Sequence, residues 1–101
     1  MSEQIKIVLL RENATIPSYQ TEHAAGMDVA ACIDGPVTIE PHGRAIIPTG
    51  FALALPPGHE AQIRGRSGMA AKFGVMPANG VGTIDADYRG EVGVILLNTS
   101  N

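Results

Sequence analysis

Gly80-Val81-Gly82-Thr83-Ile84-Asp85-Ala86-Asp87-Tyr88-Arg89-Gly90-Glu91-Val92-Gly93-Val94-Ile95-Leu96-Leu97-Asn98 is the stretch that decides the fold. Both ends are rich in β-branched and apolar residues, whereas Ala86 to Gly90 carries the acid and glycine residues that reverse a chain. The spacing predicts strands over 80–85 and 91–98, joined as a hairpin by a loop of about five residues. Val94 to Leu97 is the most apolar run, a composition that belongs at the centre of a sheet. Since it ends four residues before Asn101, a strand partner is expected from another chain or from sequence beyond this stretch.

Upstream of the hairpin, Ser67-Gly68-Met69-Ala70-Ala71-Lys72-Phe73-Gly74 has a capping serine, two alanines, a basic last turn and a glycine stop. It predicts one short helix over about 67–73. The rest reads as short extended runs: 5–10, 27–32, 37–39, 44–55 and 59–64. In the longest, Phe51, Leu53 and Leu55 alternate with Ala52 and Ala54, while Pro48 and Gly50 mark an edge, bulge or corner. About eight short strands and one helical turn point to an all-β sandwich or barrel of jelly-roll type.

Composition agrees. The chain has 101 residues, 45% hydrophobic and 17% charged, which suits one globular domain over 1–101. Its 12 glycines and 7 prolines favour strands and turns over long helices. A lone Cys32 excludes an internal disulfide framework and a multi-cysteine zinc site. Seven basic against ten acidic residues, a net charge of −3, argue against a dedicated nucleic-acid binder. No membrane span or basic signal region is seen, so a cytoplasmic protein is expected.

Three segments concentrate chemistry. Arg64-Gly65-Arg66-Ser67-Gly68 offers two forked donors on one strand face, a hydroxyl and a helix start. It suits an anion such as a phosphate chain, though without a Walker pattern, and equally describes a solvated arginine pair beside an ordinary cap. In Ile84-Asp85-Ala86-Asp87-Tyr88-Arg89-Gly90 an aspartate can orient a water, or the acids and glycine can simply make a turn. The glycines of Asn79-Gly80-Val81-Gly82 just before it admit close approach by another molecule. Asp28 is a lone acid among small residues that needs a partner, most simply a backbone group. His23, His42 and His59 lack ligand spacing, and Cys32 reads as a small core residue.

In this order the segments resemble the trimeric deoxyuridine triphosphatases (dUTPases), a jelly-roll family marked by five short motifs. Ala25-Gly26-Met27-Asp28-Val29-Ala30-Ala31 is similar to the first motif. Arg66-Ser67-Gly68-Met69-Ala70 is similar to the second, with Gly65 where the family usually has proline. Gly82 to Glu91 resembles the third, the most specific. The resemblance implies hydrolysis of dUTP to dUMP and pyrophosphate, with Asp85 orienting the water that attacks the α-phosphorus. It implies that Arg66, Ser67 and Gly68 hold the phosphates, while Asn79, the backbone around Thr83 and Ile84, and Gly93 meet the uracil. Tyr88 would stack beneath the deoxyribose and exclude a 2′-hydroxyl. Asp28 and Arg64 would support the phosphate region. Mg²⁺ would arrive on the triphosphate, held mainly by phosphate and water rather than by protein ligands. A homotrimer with sites shared between subunits is implied as well.

The family's fourth and fifth motifs lie beyond the third, and the sequence stops at Asn101 before either. The resemblance therefore implies a largely formed nucleotide pocket with little or no turnover in the 101-residue polypeptide. Two other readings compete: a related dCTP deaminase, disfavoured by the Ile-Asp-x-Asp-Tyr pattern, and a non-catalytic nucleotide-binding β domain.

Overall fold

The structure is a computed structural model that describes residues 4–101. In chain order its elements are β1 (Lys6–Leu9), β2 (Arg44–Ala54), β3 (Ala61–Ile63), α1 (Ser67–Phe73), β4 (Val75–Pro77), β5 (Gly82–Ile84) and β6 (Glu91–Asn98). They form an antiparallel four-stranded sheet, β1-β2-β6-β4, and a two-stranded ribbon, β3-β5. The expected all-β architecture with a single short helix is observed. The sheets do not close into a barrel among the described residues, and six strands replace the expected eight.

β2 organises the larger sheet. Its first half pairs with β6 from Arg44↔Leu97 to Pro48↔Gly93, and its second half pairs with β1 from Phe51↔Leu9 to Ala54↔Lys6. Between Pro48 and Ala52, four residues of β2 advance against two of β6, so the strand bulges where proline and glycine mark it. Several polar groups at the bulge find partners outside the β2–β6 ladder. Gly50 N–H donates to the Glu91 carboxylate at 3.0 Å, and Gly50 C=O accepts from Leu10 N–H at 2.7 Å. Cys32 N–H donates to Pro48 C=O at 2.8 Å. Thr49, only 1% exposed, donates its hydroxyl to Val92 C=O at 2.5 Å. Phe51, Leu55, Ile84 and Val92 form the core between the sheet and the ribbon, with Ile7, Leu53, Ala61, Ile63 and Ala86 around them. The buried Ala52 opposite Glu91 fits the expected large/small alternation of a strand packed on both faces.

The structure corrects several expectations. β5 and β6 are not a hairpin: β5 pairs with β3, and β6 pairs with β2 and β4. The turn at 85–90 therefore carries the chain from one layer to the other. The strand partner thought missing beside β6 is supplied by the chain itself, since β6 lies between β2 and the unforeseen β4. Residues 27–32 make a single bridge, Ser18↔Asp28, and 37–39 make no strand. Both segments are largely exposed and reach the sheet by isolated bonds, such as Asn98 Nδ2 to Ile39 C=O at 2.9 Å. The N-cap is Arg66, with extended φ −97° and ψ 129°, and Ser67 is the first helical residue. Gly74 ends α1 in the left-handed conformation, as expected of the stop glycine.

Candidate active site

The candidate residues fall into two groups. The first lines a cavity of about 380 Å³ between the strap 26–31, the inner faces of β2 and β6, and the β3–α1 junction. Asp28, Arg64 and Arg66 all border it, so the first and second motif-like segments meet there. Its floor is apolar, built from residues such as Ile47, Ile63, Met76, Val94 and Leu96. Asp28 is exposed rather than buried, and its backbone N–H donates to Ser18 C=O at 2.9 Å. Arg64 Nη2 donates to Gln62 Oε1 at 2.8 Å, so one forked donor is oriented by its neighbour on the same strand face. Gln62, which also borders the cavity, was not singled out from sequence, although its period-two spacing from Arg64 is visible there. The Arg66 side chain does not cap the helix, and the first turn of α1 holds no acid. Ser67 and Gly68 are exposed beside it.

The second group lies along β5. Asn79 belongs to a turn in which Gly80 N–H donates to Pro77 C=O at 3.2 Å. Its amide nitrogen lies against Gly82, 3.0 Å from where a Cβ would stand. Asn79 is thereby brought against the first residue of β5, the strand that carries Thr83 and Ile84. Among the described residues β5 pairs only with β3, so its other edge presents open backbone groups, the kind of edge that can meet a planar ligand. The Ile84 side chain is core, and only its backbone is available. Asp85 follows at the strand end, exposed, and its carboxylate makes no hydrogen bond or ion pair among the described residues. Its backbone C=O accepts from Tyr88 N–H at 3.0 Å, closing a tight turn. Tyr88 is 47% exposed and donates its hydroxyl to Glu91 C=O at 2.8 Å.

Gly93 stands apart from both groups. It lies in β6 opposite Pro48, and a Cβ there would meet Ile46 at 2.9 Å, which gives this glycine a packing role. Glu91, at the start of β6, forms an ion pair with Arg11. The Arg11 guanidinium first, and Gly50 N–H second, hold the Glu91 carboxyl below the usual carboxylate range.

The register sets Arg64 apart from Asp85, whereas Asn79, just before β5, lies at the Arg64 end of the ribbon. In the ribbon Ile63 pairs with Gly82 and Ala61 with Ile84, so Arg64 leaves at one end and Asp85 at the other. At about 3.3 Å per residue, the step from Gly82 to Asp85 alone spans about 10 Å. None of Asn79, Thr83, Ile84, Asp85, Tyr88 or Gly93 borders the cavity that holds the arginines.

The dUTPase family model matches residues 12–101. The chain is 62% identical over 87 residues to a deoxyuridine 5′-triphosphate nucleotidohydrolase of Desulfotalea psychrophila, covering 86% of this chain and 58% of that one. A dUTPase mutant from phage phi11 of S. aureus, described as revealing coordination of a structural Mg(II) ion, superposes with a TM-score of 0.87. Its identity is 30%, over 98% of this chain and 62% of that one. A mutant dUTPase of Staphylococcus bacteriophage 80alpha with dUpNHpp superposes with a TM-score of 0.86 at 28% identity, over 97% of this chain and 61% of that one. The chain thus spans 58% of the length of the curated relative it resembles. A family match across nearly the whole chain, joined to the same fold in solved relatives, places it: the chain belongs to the dUTPase family.

Proposed function

We propose that the protein hydrolyses dUTP to dUMP and pyrophosphate, with Asp85 orienting the water that attacks the α-phosphorus. The observation that carries this is the state of Asp85. It is an exposed carboxylate free of protein partners, held at the end of an open-edged strand by a closed turn within a family-matched segment. Such a group has room for a water within hydrogen-bond reach. Asn79 and the open edge of β5 receive the uracil, Tyr88 lies under the deoxyribose, and Arg66, Ser67 and Gly68 bind the phosphates, with Arg64 and Asp28 supporting them. The backbone of Gly93, beside Ile46, is the further contact to the base.

The assembly we propose is a homotrimer in which one subunit's arginine cavity faces a neighbour's β5 edge. The separation of Arg66 from Asp85 along the ribbon supports it. So do large apolar side chains left at the surface, Ile46 at 71% and Phe73 at 63%. Among the described residues no three acidic, histidine or cysteine side chains group as a metal cage, and Asp28 alone borders the cavity with the arginines. That donor set fits Mg²⁺ carried on a triphosphate, with Asp28 as an outer partner, and the bound ion supplies neutralisation of phosphate charge. Among the described residues no helix is long and apolar enough to cross a membrane.

The test is pyrophosphate release from dUTP, together with calorimetry of dUpNHpp binding, by the polypeptide extended past Asn101 to the length of its relatives. Asp85→Asn should lower turnover by about 10²–10⁴-fold while changing affinity little. Unchanged turnover would remove Asp85 from the mechanism. The 101-residue polypeptide is expected to bind nucleotide with little hydrolysis.

A further inference from the structure

We propose that Gly90 is a specificity-determining position, because its bare Cα is the platform that fixes the ring of Tyr88; this rests on the reading of Tyr88 as the residue beneath the sugar. A Cβ on Gly90 would lie 2.6 Å from Tyr88 Oη, 2.8 Å from Cζ and 3.2 Å from Cε1. The ring therefore lies against the backbone of residue 90, at a distance only glycine permits. The hydroxyl is tied to Glu91 C=O at 2.8 Å, so the ring is pinned at its far end as well. With 47% of the residue exposed, the rest of the ring remains free to meet a ligand.

The backbone beneath the ring is braced and cannot yield cheaply. Tyr88 N–H closes the turn onto Asp85 C=O at 3.0 Å. The Arg89 guanidinium donates to Ala86 C=O at 2.5 Å and to Tyr88 C=O at 3.2 Å. Glu91, whose carbonyl holds the hydroxyl, is itself held through its carboxylate by Arg11 and by Gly50 N–H. Gly90 is not among the residues with positive φ, so alanine fits its backbone and the Cβ acts on the ring alone. A ring set before substrate arrives excludes a 2′-hydroxyl by position, whereas a displaced ring leaves space for it. Gly90 touches no reacting atom and acts through Tyr88.

The experiment compares kcat/KM for dUTP and UTP in the chain extended to the length of its relatives, for wild type, Gly90→Ala, Tyr88→Phe and the double variant. Gly90→Ala should reduce the preference for dUTP by about tenfold or more, chiefly by improving use of UTP. Tyr88→Phe, which keeps the ring and loses its tether, should reduce it less. The double variant should be no worse than Gly90→Ala alone, because removing Oη removes the atom nearest the new Cβ. A Gly90→Ala enzyme with unaltered preference overturns the proposal, as does strictly additive loss in the double variant. Ring position is read without turnover by NMR of the 101-residue chain, where the Tyr88 ring signals should move in Gly90→Ala. Unmoved ring signals overturn the platform itself. Moved signals in a protein that never cleaves dUTP overturn instead the functional reading on which the specificity role rests. Should Gly90→Ala not fold, a dUTP preference in Tyr88→Phe equal to wild type overturns the proposal.

Discussion

Replacing the buried Gly50 by alanine should destabilise the protein strongly, and the structure says by how much. Gly50 sits in the β2 bulge at φ +75°, where an L side chain costs about 1–2 kcal/mol. Its Cβ would also fall 2.7 Å from both Ala14 Cβ and Cys32 Sγ. Cys32 does not retreat easily, since it is bonded through its N–H to Pro48 C=O and through its thiol to Asn13 Oδ1, and Ala14 is tied through its N–H to Arg11 C=O. Overpacking of this kind adds about 1–3 kcal/mol, for a total of about 2–5 kcal/mol. That is a large share of the roughly 5–15 kcal/mol that holds a domain folded. Gly58 isolates the backbone share. It has φ +83° with nothing within 4 Å of its Cβ direction, so Gly58→Ala should cost only about 1–2 kcal/mol. Urea titrations followed by circular dichroism, at one fixed protein concentration, measure both. Equal midpoints for the two variants would refute the packing argument, and an unshifted Gly50→Ala would refute the bulge geometry as well.

The remaining expectations use the same assays. Thr49→Val strips the donor from buried Val92 C=O and should cost about 1–3 kcal/mol, while Thr49→Ser keeps the hydroxyl and costs less; equal losses would discount the bond. Glu91 has a folded-state pKa below its unfolded one, so the stability it contributes is full above the ordinary carboxylate value and is lost as pH falls through the depressed value. Glu91→Gln should therefore weaken the protein near neutral pH and approach wild type as pH falls through the depressed value; parallel pH profiles would contradict the Arg11 contact. If a site takes its arginines from one subunit and Asp85 from another, mixing inactive Arg66→Ala and Asp85→Asn subunits restores about one site in four. No recovery after co-refolding would place both groups in one subunit.

Much of this was legible in residues 67–98. The helix was readable because alanines, a basic last turn and a stop glycine all act locally, within one turn of the residues that carry them. The β2 bulge was readable from Pro48 and Gly50 for the same reason. The strap from Met27 to Cys32 has strand-forming residues, but that run makes one isolated bridge and one bond to the bulge, and extended runs become strands only where an edge is available. The Ser67 cap was misplaced by one residue, within the usual uncertainty of helix ends. The chemistry-bearing residues were visible by type and order, but not their grouping, because grouping depends on which strand pairs with which.

That dependence explains the misread hairpin and the divided site together. A turn of five residues between two apolar runs ordinarily pairs them. Here β6 pairs along one edge with eleven-residue β2 and, through Leu96 to Asn98, with β4 on the other, while β5 finds its partner in the second layer. It crosses to β3, and the antiparallel register then sends Arg64 and Asp85 to opposite ends of the ribbon. The pairing also leaves the far edge of β5 open beside Asn79, with the Tyr88 turn exposed at its end. Had the hairpin formed, β6 would cover that edge and no backbone groups would remain to meet a base. The strand pairing that is hidden from sequence is thus the one that leaves a backbone edge of β5 open beside Asn79, the edge that the proposed trimer would set against a neighbour's arginine cavity.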